Sequence, residues 1–288
     1  MTGDMVQEKA HVMAHRRVAP HHFLMRLSSP AAARRARPGQ FVHVRCRENG
    51  EYFPLLRRPL SLFDADPAKG TIDFIYKVVG SGTQVLSQAR VGSRVDFLGP
   101  LGNPFTLPTD KRTCWLVGGG VGIPPLYLLA KWLLRRNRRV TALLGARTKG
   151  WVICAKEFRA LGIPVRIATD DGSAGRRGSV VELLENAVSF PRKRESRFDP
   201  RVREDRFRED DITLYICGPT PMMAAAAAVA RRRGIEAQVS LEERMGCAMG
   251  CCMGCVVEVN TEPAGSHARF QRVCTEGPVF PAEAILWR

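Results

Sequence analysis

Met245-Gly246-Cys247-Ala248-Met249-Gly250-Cys251-Cys252-Met253-Gly254-Cys255, closed farther on by Cys274, holds five of the nine cysteines in the chain. Read as Cys247, Cys252 and Cys255 with Cys274 completing the set, the spacing is Cys-x4-Cys-x2-Cys…Cys, that of a plant-type [2Fe-2S] site. Cys251 is then spare. Four thiolates must converge on two irons, so the loop needs small residues where backbone N–H groups approach sulfur, and Gly246, Gly250 and Gly254 supply them. Two rival readings remain open on this segment alone. Cys252-x2-Cys255 is also half of a four-cysteine zinc set, and disulfides are disfavoured without a secretory context.

Working outward, 288 residues suffice for two domains or three small ones, and a hydrophobic content of 45% argues against overall disorder. The net charge of +16 raises nucleic acid or an anionic membrane as partners. The basic groups are scattered, however, at Arg34-Arg35, Arg57-Arg58, Arg135 to Arg139 and Arg231 to Arg233, without the aromatic interleaving of single-strand binders. They read as solvated faces; neither nucleic acid nor membrane is expected. The N-terminal stretch lacks an uninterrupted apolar run of the secretory type. Cys114 to Leu134 is interrupted by three consecutive glycines, a Pro-Pro pair and a lysine, and reads as strand, turn and helix rather than a membrane span. A cytoplasmic, reducing location is the expectation, and there clustered cysteines favour metal.

Residues 1–107 carry short β-like runs at Phe41–Val44, Leu60–Phe63, Ile72–Val79 and Arg94–Leu98, punctuated by Gly, Pro and Asp. That pattern predicts a small antiparallel barrel. Three features in it look chemical: Arg58-Pro59-Leu60-Ser61, Ile75-Tyr76-Lys77, and Gly80-Ser81-Gly82-Thr83 before a short helix from Gln84 to Ala89. A glycine turn with a hydroxyl at a helix start aims free N–H groups at one point and suits a diphosphate. A neighbouring arginine completes such an anion site. A barrel with an exposed arginine and a tight turn is the plainer reading of each feature singly.

Residues 108–238 change character. Thr113–Val117, Val140–Leu144, Val165–Ala168 and Leu214–Cys217 read as buried strands, alternating with helices near Leu126–Leu134, Glu157–Leu161, Val180–Ala187 and Met222–Arg233. This alternation predicts a doubly wound parallel sheet. Gly118-Gly119-Gly120-Val121-Gly122 would close the first strand, where such sheets bind nucleotides, although it lacks the G-x-G-x-x-G spacing. Cys217-Gly218-Pro219 ends the last strand. Residues 190–211, with dense charge and an internal echo, read as a surface insertion. Arg147, after the second strand, is placed to hold a ribose 2′-phosphate. Residues 239–288 form the cysteine-rich third segment.

A barrel with Arg-Pro-Leu-Ser and Gly-Ser-Gly-Thr, a sheet with Gly-Gly-Gly-Val-Gly-Ile-Pro-Pro and Cys-Gly-Pro, then a cysteine cluster: this order resembles the ferredoxin-reductase superfamily, whose barrel is a Greek key. Leu241 to Cys247 and Val273-Cys274-Thr275-Glu276-Gly277-Pro278-Val279-Phe280 narrow the likeness to the electron-transfer subunits of class 1B dihydroorotate dehydrogenase. The resemblance implies FAD at Arg58, Pro59, Leu60 and Ser61, at Ile75, Tyr76 and Lys77, and at Gly82 and Thr83. It implies NAD(H) at Gly118, Gly119, Gly120 and Gly122, with Cys217, Gly218 and Pro219 near the nicotinamide. Cys247, Cys252, Cys255 and Cys274 would hold the [2Fe-2S] cluster. An FMN-containing catalytic subunit is the implied partner, in a heterotetramer. Two departures stand out: Leu60 where the superfamily often has Tyr, and Cys251 where a small residue is usual, which leaves a register using Cys251 open. The rival functions are the small subunit of a ferredoxin:NAD(P) oxidoreductase or sulfide dehydrogenase complex, and a zinc-containing binding protein.

Overall fold

The six strands between Val6 and Leu101 close on themselves. The computed structural model describes residues 5–47, 51–110, 112–188, 212–260 and 269–287. Six strands, β1 (Val6–Ala19), β2 (His22–Ser28), β3 (Phe41–Val44), β4 (Arg58–Asp66), β5 (Thr71–Lys77) and β6 (Arg94–Leu101), form a closed barrel in the order β1-β2-β5-β4-β3-β6. Every pairing is antiparallel, and the order is a Greek key. Two short helices attend it, α1 (Pro30–Arg35) and α2 (Ser81–Leu86). Side chains alternate across the pleat, so Val42, Val44, Leu60, Leu62, Phe74 and Phe97 fill the interior. The opposite parity of β4 and β5 puts Phe63 and Ile75 outside, against the second layer. Helix α2 starts at Ser81, three residues earlier than the sequence suggests, because Thr83 caps its own turn: its Oγ1 accepts from Val79 N at 3.0 Å and donates to Gly80 O at 3.1 Å. That turn also stops β5 at Lys77, two residues short of expectation.

The second layer is a seven-stranded sheet, built from β7 (Thr113–Gly119), α3 (Ile123–Leu134), β8 (Val140–Ala146), α4 (Ala155–Ala160), β9 (Val165–Thr169), β10 (Arg176–Arg177), α5 (Val180–Val188), β11 (Ile212–Cys217), α6 (Thr220–Arg233) and β12 (Glu236–Ser240). With β15 (Val279–Pro281) the order is β10-β9-β8-β7-β11-β12-β15, parallel except for the last strand. The order reverses between β7 and β11, which makes their carboxyl ends the switch point. Alternate residues of β7 serve the two faces: Leu116 packs with Leu126, Leu129 and Leu133 of α3, while Val117 packs toward α5 and α6. Each of those leucines is fully buried, worth roughly 1.5–3 kcal/mol. Pro124 and Pro125 open α3 rather than precede it, since first-turn N–H groups have no partner to lose.

The cysteine segment is not a separate globule. A two-stranded ribbon, β13 (Val256–Glu258) with β14 (Phe270–Arg272), follows the cysteine loop, and β15 then pairs antiparallel with β12. A boundary drawn at 238 thus falls inside β12, which runs to Ser240 because β15 extends its hydrogen bonding. The barrel is also joined to this tail: Asn103 N donates to Gly277 O at 2.6 Å and its side chain to Glu276 O at 2.8 Å. The charged insertion at 190–211 lies outside the described residues.

Candidate functional site

Three clusters of residues carry the predicted site, one each in the barrel, the sheet and the tail. At the barrel, Arg58 opens β4 and Gly82 lies in α2, yet the Arg58 guanidinium rests on the Gly82 backbone: a Cβ on Gly82 would come within 2.8 Å of Arg58 Nε. Arg58 Nη1 donates to Leu56 O at 2.6 Å. One cation and the N–H groups of a tight turn therefore share one spot, as an anion requires. Pro59 and Ser61 lie on the parity of Phe63, which stacks on Tyr127 of α3 at 4.6 Å between centroids, so they face the gap between barrel and sheet.

The remaining barrel residues sit differently. Leu60 points into the barrel core, and Tyr76 is also interior, 2% exposed. Tyr76 Oη is 2.9 Å from His15 Nε2, and burial pushes the phenol far above its ordinary range. The side chains of Leu60 and Tyr76 thus serve the barrel, leaving their backbone to the outer surface. Ile75 faces the sheet. Lys77 places its ammonium 4.7 Å from the ring of Trp151, a residue of the sheet.

At the switch point, Gly118 to Gly122 and Cys217 to Pro219 come together. Cys217 pairs with Gly118 across β11 and β7. A Cβ on Gly122 would stand 2.4 Å from Cys217 C and Gly218 N, and one on Gly119 2.6 Å from Met222 Sδ. Only glycine lets the two turns approach this closely. Gly120, at φ +54, faces open space. The Cys217 thiol is buried, with Sγ 3.5 Å from Ser240 O, and burial drives its pKa far upward. It is a packed thiol, turned away from the turn it terminates.

The tail gathers the predicted cysteines in two pairs. Cys252 approaches Cys247, whose Sγ accepts from Met249 N and Cys252 N, both at 3.4 Å. Burial opposes ionisation of Cys247, but these donors outweigh it and bring the thiol down to about 6. Cys255 and Cys274 form the second, buried pair; burial and the neighbouring Cys255 push Cys274 up to about 12. Among the described residues no three His, Cys, Asp or Glu side chains gather about one point as a single ion needs. Two cysteine pairs are the donor set of a two-iron group. The loop is wound tightly: Ala248 (φ 57), Gly250 (φ 82) and Met253 (φ 56) all take left-handed backbone, which for the two non-glycines costs about 1–3 kcal/mol each. Arg272 braces it, donating to Gly250 O at 3.0 Å and to both carboxylate oxygens of Glu276, which holds that carboxyl down to about 2. Cys251 is exposed, as is Cys252, and its Sγ lies 3.9 Å from Met249 O.

Sequence reading gave no role to His43, Trp151, Arg272 or Glu276. His43 on β3 is 1% exposed between barrel and tail, its ring beside the backbone of Arg57 and Met245 but without a hydrogen bond of good geometry. A polar residue inside the apolar run Phe41–Val44 was the available signal. Trp151 and Arg272 carried no local signal; Glu276 entered only as part of the Val273–Phe280 stretch.

Comparison with known proteins agrees in each region. Residues 9–105 match the family model of an oxidoreductase FAD-binding domain, residues 116–228 that of an oxidoreductase NAD-binding domain, and residues 242–286 the iron-sulfur cluster binding domain of dihydroorotate dehydrogenase B. The dihydroorotate dehydrogenase B (NAD(+)) electron transfer subunit of Desulforamulus reducens is 40% identical over 96% of this chain and 97% of its own. That of Geobacillus kaustophilus is 41% identical over 97% and 98%. Among solved structures, one from a study of flavin-based electron bifurcation by an NADH-dependent reduced ferredoxin-NADP oxidoreductase is similar at 33% identity, TM-score 0.77, over 97% of this chain and 90% of that one. A ferredoxin reductase of carbazole 1,9a-dioxygenase, 22% identical with TM-score 0.64 over 80% and 67% of the two chains, shares the fold. The chain therefore belongs to the family of dihydroorotate dehydrogenase B (NAD(+)) electron transfer subunits, oxidoreductase components with FAD-binding, NAD-binding and iron-sulfur domains.

Proposed function

We propose that this chain carries electrons between NAD(H) and the FMN of a separate dihydroorotate-oxidising subunit, by way of FAD and a [2Fe-2S] cluster. The observation that carries the reading is the convergence of Cys247 with Cys252 and of Cys255 with Cys274 behind a barrel and a nucleotide sheet. When bound, FAD exchanges a hydride with the nicotinamide and single electrons with the cluster, so the pair converts two-electron into one-electron transfer. The protein supplies binding and orientation. Arg58 and the N–H groups of Gly82 and Thr83 hold the FAD diphosphate; Pro59, Ser61 and the backbone of Leu60, Ile75 and Tyr76, with Lys77 at the strand end, frame the flavin from the barrel.

Gly118, Gly119, Gly120 and Gly122 would receive the NAD diphosphate at the switch point, with Gly218 and Pro219 lining its nicotinamide end. Buried Cys217 shapes that wall without presenting its thiol. The four cysteines bind the cluster, and the N–H groups of Met249 and Cys252 on Cys247 favour its thiolate. The partner is an FMN-containing catalytic subunit, the assembly a heterotetramer, and the location cytoplasmic, without nucleic acid or membrane; no helix among the described residues is long and apolar enough to cross a membrane. The likeness to the ferredoxin-NADP oxidoreductase structure marks the main rival partner. Iron, sulfide and flavin analysis of the complex co-purified from its host tests the reading: equimolar FMN and FAD with two irons per chain is expected, whereas colourless protein with stoichiometric zinc would overturn it.

A further inference from the structure

Arg147 directly follows β8, the strand beside β7, and there a doubly wound sheet meets the adenosine ribose. An arginine at that point suits a 2′-phosphate. Its guanidinium, however, lies 4.7 Å from the centre of the Trp151 ring. The Lys77 ammonium lies 4.7 Å from the same ring, and His22 meets it edge-on at 5.5 Å. Lys77 and His22 belong to the barrel, Trp151 to the sheet. The ring is thus fixed across the seam, and Arg147 is fixed to the ring. On the other side of the same loop run Asp170 and Asp171, whose N–H groups donate to Ala146 O at 3.2 Å and Arg147 O at 3.3 Å. Ser173 donates to Asp171 Oδ1 through N at 2.9 Å and through Oγ at 2.6 Å, which fixes an anion beside the end of β8. Carboxylates accept hydrogen bonds from a free ribose diol and repel a phosphate.

We propose that Trp151 determines nucleotide specificity: by holding the Arg147 guanidinium against the barrel seam it denies that charge to a 2′-phosphate, and so selects NADH over NADPH. This rests on Gly118 to Gly122 being the dinucleotide site. Arg147 is exposed, and an exposed cation–π contact of ~0.5–1 kcal/mol corresponds, at about 1.4 kcal/mol per tenfold, to about a two- to fivefold change.

The test is flavin bleaching by NADH and by NADPH in the FAD- and cluster-loaded chain. Trp151→Leu is expected to raise the NADPH/NADH ratio of kcat/KM about two- to fivefold. Trp151→Phe, which keeps a weaker ring and most of the volume, should give a smaller rise, and Trp151→Leu with Arg147→Ala should lose it. An unchanged ratio in both folded Trp151 variants, or a rise that persists without Arg147, overturns the inference. If neither nucleotide bleaches the flavin of the unaltered chain, the dinucleotide-site reading itself fails, a distinguishable result.

Discussion

An alanine at Gly122 probes the switch point most directly. Its Cβ would stand 2.4 Å from Cys217 C and Gly218 N, where ordinary contact begins at 3.4 Å, a shortfall of 1.0 Å (3.4 − 2.4). Both opposing atoms are backbone, so no side chain can swing aside. The turn after β7 and the turn after β11 must part by about that distance. Overpacking of this kind costs about 1–3 kcal/mol. A misplacement of about 1 Å between reacting groups slows reaction on the order of 100-fold. Gly234→Ala, at the end of α6 away from the switch point, is the control: its Cβ meets nothing within 4 Å, and its φ of +66 costs only about 1–2 kcal/mol of left-handed backbone. Urea unfolding gives the stability of each variant, and stopped-flow bleaching of the flavin by NADH gives the hydride step. The expected result is comparable destabilisation with a large loss of NADH reduction confined to Gly122→Ala. Parent-like reduction by Gly122→Ala would refute the reasoning.

The other predictions concern the thiols and His43. Cys252→Ser should lose the visible absorbance of the cluster while Cys251→Ala keeps it; the reverse would establish the register that uses Cys251. Iodoacetamide applied to the native chain, followed by peptide mass mapping, should label exposed Cys251 and spare Cys114, pushed up to about 12 by burial, along with Cys154 and Cys217, which burial also raises. His43 is brought down to about 4 by burial and by the Arg57 charge, although its backbone neighbours oppose this. Its folded value lies below the ordinary 6.5, so the stability it permits is complete above pH 6.5 and drains as pH falls toward 4. His43→Phe should flatten the fall of the urea midpoint across that window; an unchanged pH dependence would count against a buried neutral ring.

Much of the fold is legible because its signals are local. The alternation in β4 and β5, the glycine turn after β7 and the spacing of Cys247, Cys252 and Cys255 each lie within a dozen residues. What escapes is set by packing between distant segments. β1 exposes Gln7, Lys9, His11, Arg16 and Arg17 and so lacks an apolar signature, yet it is the longest strand of the barrel. Tyr76 reads as a cofactor contact from its motif, but closure of the barrel turns its ring inward onto His15. Lys77 and Arg147 read as separate anion contacts; only the docking of barrel on sheet brings both onto Trp151. The turn at Gly122 is legible as a glycine turn, but its clash partner, Cys217, lies ninety-five residues on in the sequence.

The pairing of β15 with β12 has a consequence for how the chain is made. Until residues 279–281 leave the ribosome, β12 presents a row of unpaired N–H and C=O groups, the kind of open edge on which nascent chains join one another. The closing strand is three residues long and ends in Pro281, which cannot donate a further ladder hydrogen bond. The segment that carries the cysteines therefore also seals the nucleotide sheet, and a chain stalled before it would be short of a cluster and prone to aggregate at once.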